Sequence, residues 1–448
     1  MKIWAQSQKH RTTNSFDAAR KLQRILHSHQ DTAILITVLL TLYLVDITSK
    51  AKPRTGSYGT YPTKVRSVLR DFQERAEARP DGFIRYQYRA GLLEKSRNVI
   101  ADYLAVPSDS CALVPNATTG VETVLRNLVF EAGDVVIVFA DVYPAFANTL
   151  DYLSRMTPLE VRKIEYTHPV SDSYVCGAFE ETIKELKSQH KTPKVALFDT
   201  ISSIPGVRMP FERLTEVCKS LNILALVDGA HSVGQIHVDL SKLDPDFYVS
   251  NLHKWLYVPR GCAVLYVPER NHHLLKTTLP TSFAYGETFA KNFSDTGTMD
   301  NTPYLCVPTA LDWRSRLRWG KLRGDDAVKG YLLHLARKGG AAVAEKLGTE
   351  VMDNEEGTLG NCALTNVRLP LKVESVTGGN TAVVEIVTQW LMKTMIEEYQ
   401  TAVYVYSYGA CWWVRLSAQV YLTVEDFEHA AEQLLEACRR VGDAEWKR

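Results

Sequence analysis

The sequence lacks an excess of charge of either sign. Its 448 residues include 52 Lys and Arg and 51 Asp and Glu, which gives a formal net charge of +1 at neutral pH. Because both signs are spread along the chain, no basic face favours nucleic acid as a partner, and no acidic run indicates a disordered tail. The expected partner is therefore a small molecule.

Cysteines with the spacing of metal ligands are also missing. The eight cysteines are scattered without a CxxC motif or a Cys/His pattern. This usage is typical of reduced, mostly buried thiols rather than of disulfides or zinc ligands. The sequence thus predicts no metal site and a cytoplasmic location.

The apolar run near the N-terminus is too short to span a bilayer without adjustment. It covers residues 32–45 and follows a stretch with several Lys and Arg. At about 1.5 Å per residue it reaches about 21 Å, less than the roughly 30 Å of a hydrocarbon core. Two interpretations of residues 1–55 stay open: a divergent extension, or a membrane anchor or targeting segment. We expect membrane contact only in the second case.

From about residue 56 onward, helical stretches alternate with short apolar runs. The runs at 135–140, 195–198, 223–227, 247–250 and 262–267 have strand length, and most lack polar alternation. Such runs are typical of a buried, largely parallel sheet whose crossovers contain helices. The sequence therefore predicts an α/β fold with a large domain over 56–314.

The pattern changes after about residue 315. Helices are predicted at 329–347 and 424–440, and strands at 363–370 and 411–417. We assign residues 315–448 to a smaller α+β domain.

Two polar clusters follow predicted strands. Asp228 and His231 come directly after the run 223–227, and Asn251, His253 and Lys254 follow the run 247–250. Open α/β sheets bind ligands at the carboxyl ends of their strands. A partly desolvated lysine at such a position can lose its proton and attack an aldehyde.

Five motifs in this order carry a resemblance to a known family: NATTG, DVYPAF, DTISSIPG, LVDGAHSVG and SNLHKW. They resemble the class V aminotransferases, which are fold-type I enzymes dependent on pyridoxal 5′-phosphate (PLP). The resemblance implies a large domain built on a seven-stranded sheet. It identifies Lys254 as the residue that forms the Schiff base with PLP.

The chemistry of PLP gives the other residues their expected roles. Asp228 would keep the pyridine nitrogen protonated, so that the ring acts as an electron sink, and His231 would donate to the phenolic oxygen. The start of a helix at Ala117 and Thr118 offers donors for the phosphate. Asn251 and His253 would complete this phosphate site.

The resemblance alone supplies further roles. It implies that Tyr143 stacks on the cofactor ring, that Ser203 lies near the phenolic oxygen, and that Thr298 reaches the phosphate of a neighbouring subunit, which requires a homodimer. Arg415 resembles the arginine that binds the substrate α-carboxylate, a task suited to a guanidinium.

Each of these residues also has a structural interpretation. Asp228 and Thr118 would serve as helix caps, His231 as a satisfied first-turn histidine, Tyr143 as a packing residue and Arg415 as a member of an ion pair. Cys306 and Cys362 are expected in the core, not as persulfide carriers.

The segment GSYGTYP at 56–62, residues 83–86 and the NLHKW motif resemble the branch of isopenicillin N epimerases and hercynylcysteine sulfoxide lyases. The branch has Asn-His before Gly-Ser-Tyr-Gly, whereas this chain has Arg54 and Thr55. The resemblance implies a C–S lyase of secondary metabolism that cleaves a cysteine-conjugate sulfoxide by β-elimination, as in ergothioneine biosynthesis. Three alternatives stay open: a class V aminotransferase or epimerase, a tailoring enzyme of a natural-product pathway, and an inactive or membrane-tethered pseudoenzyme.

Overall fold

The computed structural model describes residues 57–276, 279, 281 and 285–447. The apolar run 32–45 and the interpretations attached to it lie outside these residues. Among the helices of the described part, none is long and apolar enough to cross a membrane.

A seven-stranded sheet organises the part of the chain before residue 270. Its order is β1-β7-β6-β5-β4-β2-β3, and the strands are β1 (Cys111–Val114), β2 (Asp134–Phe139), β3 (Glu160–Ile164), β4 (Thr192–Asp199), β5 (Leu224–Asp228), β6 (Phe247–Asn251) and β7 (Ala263–Tyr266). The neighbours from β3 to β6 pair in parallel, while β7 pairs antiparallel with both β1 and β6. The predicted α/β fold with a mostly parallel sheet is confirmed.

Helices cover both faces of this sheet. They are α1 (Thr63–Ala78), α2 (Pro80–Phe83), a π-helical stretch Ile84–Leu92, α3 (Leu93–Leu104), α4 (Ala117–Asn127), α5 (Pro144–Met156), α6 (Asp172–Ser188), α7 (Phe211–Leu221), α8 (Leu240–Leu243), α9 (Leu252–Trp255), α10 (Phe289–Asn292), α11 (Thr302–Leu305) and α12 (Val307–Ser315), with short 3-10 turns at Ser108–Ser110 and Glu269–Leu274.

Burial on both faces explains why the strands read as continuous apolar runs. On β2, Val135 and Ile137 belong to one core cluster, and Val136 and Val138 belong to another on the opposite face. The edge strand β3 is mostly exposed. Its sequence is accordingly polar and has no apolar run that would predict a strand.

A three-stranded antiparallel sheet forms the centre of the C-terminal part. Its order is β10-β12-β11, with β10 (Leu364–Lys372), β11 (Tyr404–Tyr408) and β12 (Cys411–Ser417). The accompanying elements are the hairpin β8 (Arg318–Trp319) and β9 (Leu322–Arg323), the helices α13 (Gly324–Leu347), α14 (Val373–Thr377), α15 (Thr381–Glu397) and α16 (Val424–Gly442), and a 3-10 turn at Glu445–Lys447.

This C-terminal part has a core of its own. The cluster includes Leu335 and Val343 from α13, Val414 and Leu416 from β12, and Leu434 from α16. The predicted boundary at 314/315 falls at the end of α12 and stays a prediction.

Candidate active site

Three buried polar residues end neighbouring parallel strands. Asp199, Asp228 and Asn251 are the last residues of β4, β5 and β6, and Asp199 pairs with Asp228 in the sheet register. The carboxyl ends of these strands therefore form one polar edge, where a cavity of about 200 Å³ opens. The predicted site residues that line it are Ala117, Thr118, Tyr143, Ser203, Asp228, His231, Asn251, His253 and Lys254.

Lys254 lies on α9, directly after β6. Burial lowers the pKa of its ammonium to about 8; the carboxylate of Asp228 opposes this effect, and the charge of Arg415 adds to it. Its Nζ lies 2.9 Å from Nε2 of His231. About a tenth of Lys254 is therefore a free amine at pH 7, far more than for an ordinary lysine, and a nucleophile or a base requires this form.

His231 is held between Trp255 and Lys254. The indole N–H of Trp255 donates to Nδ1 over 3.2 Å. Because an indole nitrogen only donates, the hydrogen of the neutral imidazole lies on Nε2 and points to the Lys254 amine. Burial lowers the pKa of His231 well below its ordinary value, and the charge of Lys254 adds to this. The sequence analysis did not identify Trp255 as part of this arrangement.

A second carboxyl group supports Asp228. One oxygen of Asp228 accepts the backbone N–H of Ala230 over 2.9 Å, and burial raises the pKa of Asp228. Burial, and then the charge of Asp228, raise the pKa of Asp199 well above its ordinary value. Asp199 is therefore the carboxyl group that favours the protonated form, in which it can donate to Asp228. Sequence reasoning missed Asp199, although it follows an apolar run just as Asp228 does.

The start of α4 points toward the cavity. Asn116 caps it by accepting the N–H of Thr119 over 2.8 Å, and Asn251 accepts the N–H of Ala117 over 2.9 Å. Thr118 lies between these two anchored positions and lines the cavity. Asn251 therefore fixes the helix start, which is a favourable place for an anion.

His253 packs beside this helix start. Its Nδ1 donates to the carbonyl of Cys262 over 2.9 Å, and burial lowers the pKa of its imidazole to about 4. A neutral ring with a fixed Nδ1 leaves Nε2 as a hydrogen-bond acceptor at neutral pH.

Arg415 comes from β12, in the C-terminal part. It lines a second cavity of about 570 Å³, which Ser203, His231 and Lys254 also line. Its Nη1 donates to the carbonyl of Ser203 over 2.5 Å and its Nη2 to Oγ of Ser57 over 2.7 Å, while its buried Nε has no partner among the described residues. No carboxylate pairs with Arg415 within the described residues. A buried guanidinium without an anion is suited to bind one.

Tyr143 and Thr298 lie in different places. Tyr143 precedes α5, meets the ring of Phe146 edge to face at 5.5 Å and lines both cavities. Thr298 lies in a separate groove with Tyr88 and Met299. The fold thus does not bring Thr298 to Lys254 of the same chain, and its predicted contact with a neighbouring subunit stays a prediction.

The segment 57–59 closes one side of the site. Ser57 and Tyr58 line both cavities. Gly59 has a φ of +65°, and a Cβ there would come within 1.8 Å of the carbonyl oxygen of His253. Only glycine permits this contact. Sequence reasoning used this motif as a family marker and missed its place beside the Lys254 backbone.

These groups fit PLP. The site combines an amine with a lowered pKa, a buried carboxylate at the end of a neighbouring strand and a helix N-terminus that lines the cavity. In that order, these three groups would bind the aldehyde, the pyridine nitrogen and the phosphate of the cofactor.

Comparisons with known proteins agree with this site. The profile of the family described as Aminotransferase class-V matches residues 62–305. An L-cysteine desulfhydrase-like protein of Epichloe uncinata, lolT1, is 36% identical over 86% of this chain and 92% of its own. The hercynylcysteine sulfoxide lyase of Schizosaccharomyces pombe is 27% identical over 86% of this chain and 93% of its own.

Solved structures share the fold at low identity. A complex of the cystine C-S lyase C-DES with its product, cysteine persulfide, has a TM-score of 0.69 at 16% identity and covers 87% of this chain and 98% of its own. An apo cysteine desulfurase of Thermococcus onnurineus has a TM-score of 0.69 at 17% identity, over 88% of this chain and 97% of its own.

Proposed function

Since this chain belongs to the class V aminotransferase family and is a PLP-dependent enzyme, we propose that it is a C–S lyase that cleaves a sulfur-substituted amino acid by β-elimination. One observation carries the proposal: Lys254, with its lowered pKa, lines the same cavity as Arg415, a buried arginine that no carboxylate of the described residues pairs with. A base and an anion site in one cavity suit the α-carbon of an amino acid.

Each of these residues has a part in the reaction. When bound, PLP withdraws electrons from the substrate Cα, and Asp228 would keep its pyridine nitrogen protonated. Arg415 binds the α-carboxylate and thereby places the Cα–H bond toward Lys254. Lys254 takes the Cα proton, and the Cβ–S bond breaks with its electron pair leaving on sulfur. The remaining aminoacrylate adds water and gives pyruvate and ammonia.

The proposed substrate is a cysteine-conjugate sulfoxide, such as hercynylcysteine sulfoxide on a route to ergothioneine. The sulfur would then leave as a sulfenic acid. Two observations support this choice: the similarity to the Schizosaccharomyces pombe lyase, and a cavity of about 570 Å³ that extends beyond Lys254 to Tyr404 and Arg415. That volume leaves room for more than cysteine.

The experiment begins with the absorbance of the purified protein. Wild type is expected to show a visible band that borohydride removes, and Lys254→Ala is expected to lack it. Pyruvate is then measured with hercynylcysteine sulfoxide and with L-cysteine. Lys64→Ala, at a half-exposed lysine paired with Asp312, is the matched control and should behave as wild type.

Other outcomes select the alternatives. A keto acid with its sulfur still attached would indicate an aminotransferase, and inversion at Cα without pyruvate would indicate an epimerase. A protein that stays colourless after PLP is added would support the pseudoenzyme.

A further inference from the structure

Asp141 is a charged residue of the second cavity that the proposed reaction does not use. It follows β2 and lines that cavity with Tyr143 and Arg415, and its side chain is only 5% exposed. Oδ2 accepts hydrogen bonds from the hydroxyl of Tyr166 over 3.1 Å and from Nε2 of His168 over 2.8 Å. No hydrogen bond from a described residue reaches Oδ1, so this oxygen keeps its capacity to accept one.

The neighbours of Asp141 fix its orientation. The backbone N–H of His168 donates to the hydroxyl of Tyr408 over 2.7 Å, and its ring is buried. Nδ1 of His168 is buried, and no residue in the described part of the chain pairs with it, so Nε2 is the nitrogen that carries the hydrogen toward Asp141. The carboxylate is thus preorganised, with one oxygen engaged and the other free to bind.

The surroundings of Oδ1 favour a cation. Arg415 lines the same cavity, yet no ion pair joins it to Asp141 in the described part of the chain. Tyr58 is 70% exposed and lines this space. A carboxylate oxygen together with aromatic faces attracts a positively charged nitrogen group. The cavity therefore has a positive charge on the side of Arg415 and a negative charge on the side of Asp141.

We propose that Asp141 determines specificity by binding a positively charged nitrogen group on the sulfur substituent of the substrate. The inference rests on the proposed function, in which Arg415 takes the α-carboxylate and Lys254 acts at Cα. The preferred substrates then carry a negatively charged α-carboxylate at one end and a positively charged nitrogen group at the other, besides the reacting amine.

The test uses the sulfoxides of three S-substituted cysteines that differ in the charge of one group. S-(2-aminoethyl)-L-cysteine is cationic, S-propyl-L-cysteine is a neutral isostere, and S-carboxymethyl-L-cysteine is anionic. For the PLP-loaded wild type we expect kcat/KM and affinity to decrease in that order, with the cation favoured about tenfold over the neutral compound, as for a hydrogen bond to a charged group. In Asp141→Asn this preference should fall to about one.

Tyr166→Phe is the matched control, because it removes one hydrogen bond to Asp141 but leaves the charge. It should retain the preference for the cation. A wild type that does not prefer the cation, or an Asp141→Asn variant that keeps the preference, would overturn the inference. If Asp141→Asn fails to fold in a thermal scan, the ranking of the three compounds by wild type decides.

The two proposals fail separately. If no compound releases pyruvate, the proposed function is wrong, and the affinities measured by calorimetry still test Asp141. If all three are cleaved at equal rates, the proposed function holds and the inference is wrong.

Discussion

At the scale of single residues, burial and nearby charges act on Lys254 in opposite directions. Burial lowers the pKa of its ammonium to about 8, while the carboxylate of Asp228 raises it. An ordinary lysine has a pKa of about 10.4. The site therefore supplies a free amine at a pH where surface lysines are protonated.

This difference in pKa predicts how the reactivity of Lys254 depends on pH in the protein without cofactor. Its reaction with an amine-directed acylating reagent should rise about tenfold per pH unit up to about pH 8 and then level off, since only the free amine reacts. Surface lysines in the same sample should keep rising above pH 9, as followed by peptide mass spectrometry. Asp228→Asn should move the plateau of Lys254 to lower pH. A plateau of Lys254 near that of surface lysines would contradict the lowered pKa.

Replacing Arg415 is expected to impair the binding of the substrate α-carboxylate. Arg415→Met should lower kcat/KM for L-cysteine roughly 100-fold, because it removes a buried charge that binds the α-carboxylate. The discrimination between L-cysteine and cysteamine, which lacks that carboxylate, should also disappear. Arg368→Met, on the same small sheet but paired with Glu350 at the surface, is the control. Retained discrimination in Arg415→Met would assign the residue a structural role.

At the scale of elements, close backbone contacts hold the site together. Gly120 of α4 lies where a Cβ would come within 2.6 Å of Val249 on β6. This contact places the helix start beside Asn251. Gly59 makes a similar approach to the segment that carries Lys254.

Gly59 gives a prediction at this scale. Gly59→Ala adds positive-φ strain of about 1 kcal/mol and a contact of 1.8 Å with the His253 carbonyl, so residues 57–61 must move away from Lys254. Gly133→Ala is the matched control, because its φ of +91° carries the strain with no atom within 4 Å of the new Cβ. We expect both variants to lower the unfolding temperature, but only Gly59→Ala to lower kcat/KM at least tenfold. Equal kcat/KM values would show that the contact does not matter for the site.

At the scale of the whole molecule, the groove that contains Thr298 presents apolar surface. Ile84 and Met299 line it and are more than one third exposed. This surface supports the expected homodimer, in which Thr298 would approach the site of the other subunit.

The mass of the protein in solution tests the expected dimer. Sedimentation at micromolar concentration should give twice the chain mass of 50.4 kDa, and Ile84→Asp should give the single mass, because a charge would be buried at the interface. Val129→Asp, at a residue that is 77% exposed and lies outside this groove, should leave the mass unchanged. A monomeric wild type would mean that Thr298 does not contribute to the site of another subunit.

The sequence by itself determined the parts that depend on local pattern. Continuous apolar runs predicted the central strands, because both faces of that sheet are buried, and the polar residues after those runs predicted Asp228 and Lys254. The edge strand β3 escaped detection, because half-exposed strands carry polar residues.

Only the tertiary structure decided which distant residues meet. Arg415 lines one cavity with Lys254 because its strand lies beside the loop after β4, where it donates to the Ser203 carbonyl, and Asp199 joins Asp228 because their strands are neighbours in register. The raised pKa of Asp199, the lowered pKa of Lys254 and the free oxygen of Asp141 all result from burial among particular neighbours. Such electrostatic effects depend on distances in space, which no local pattern of the sequence encodes.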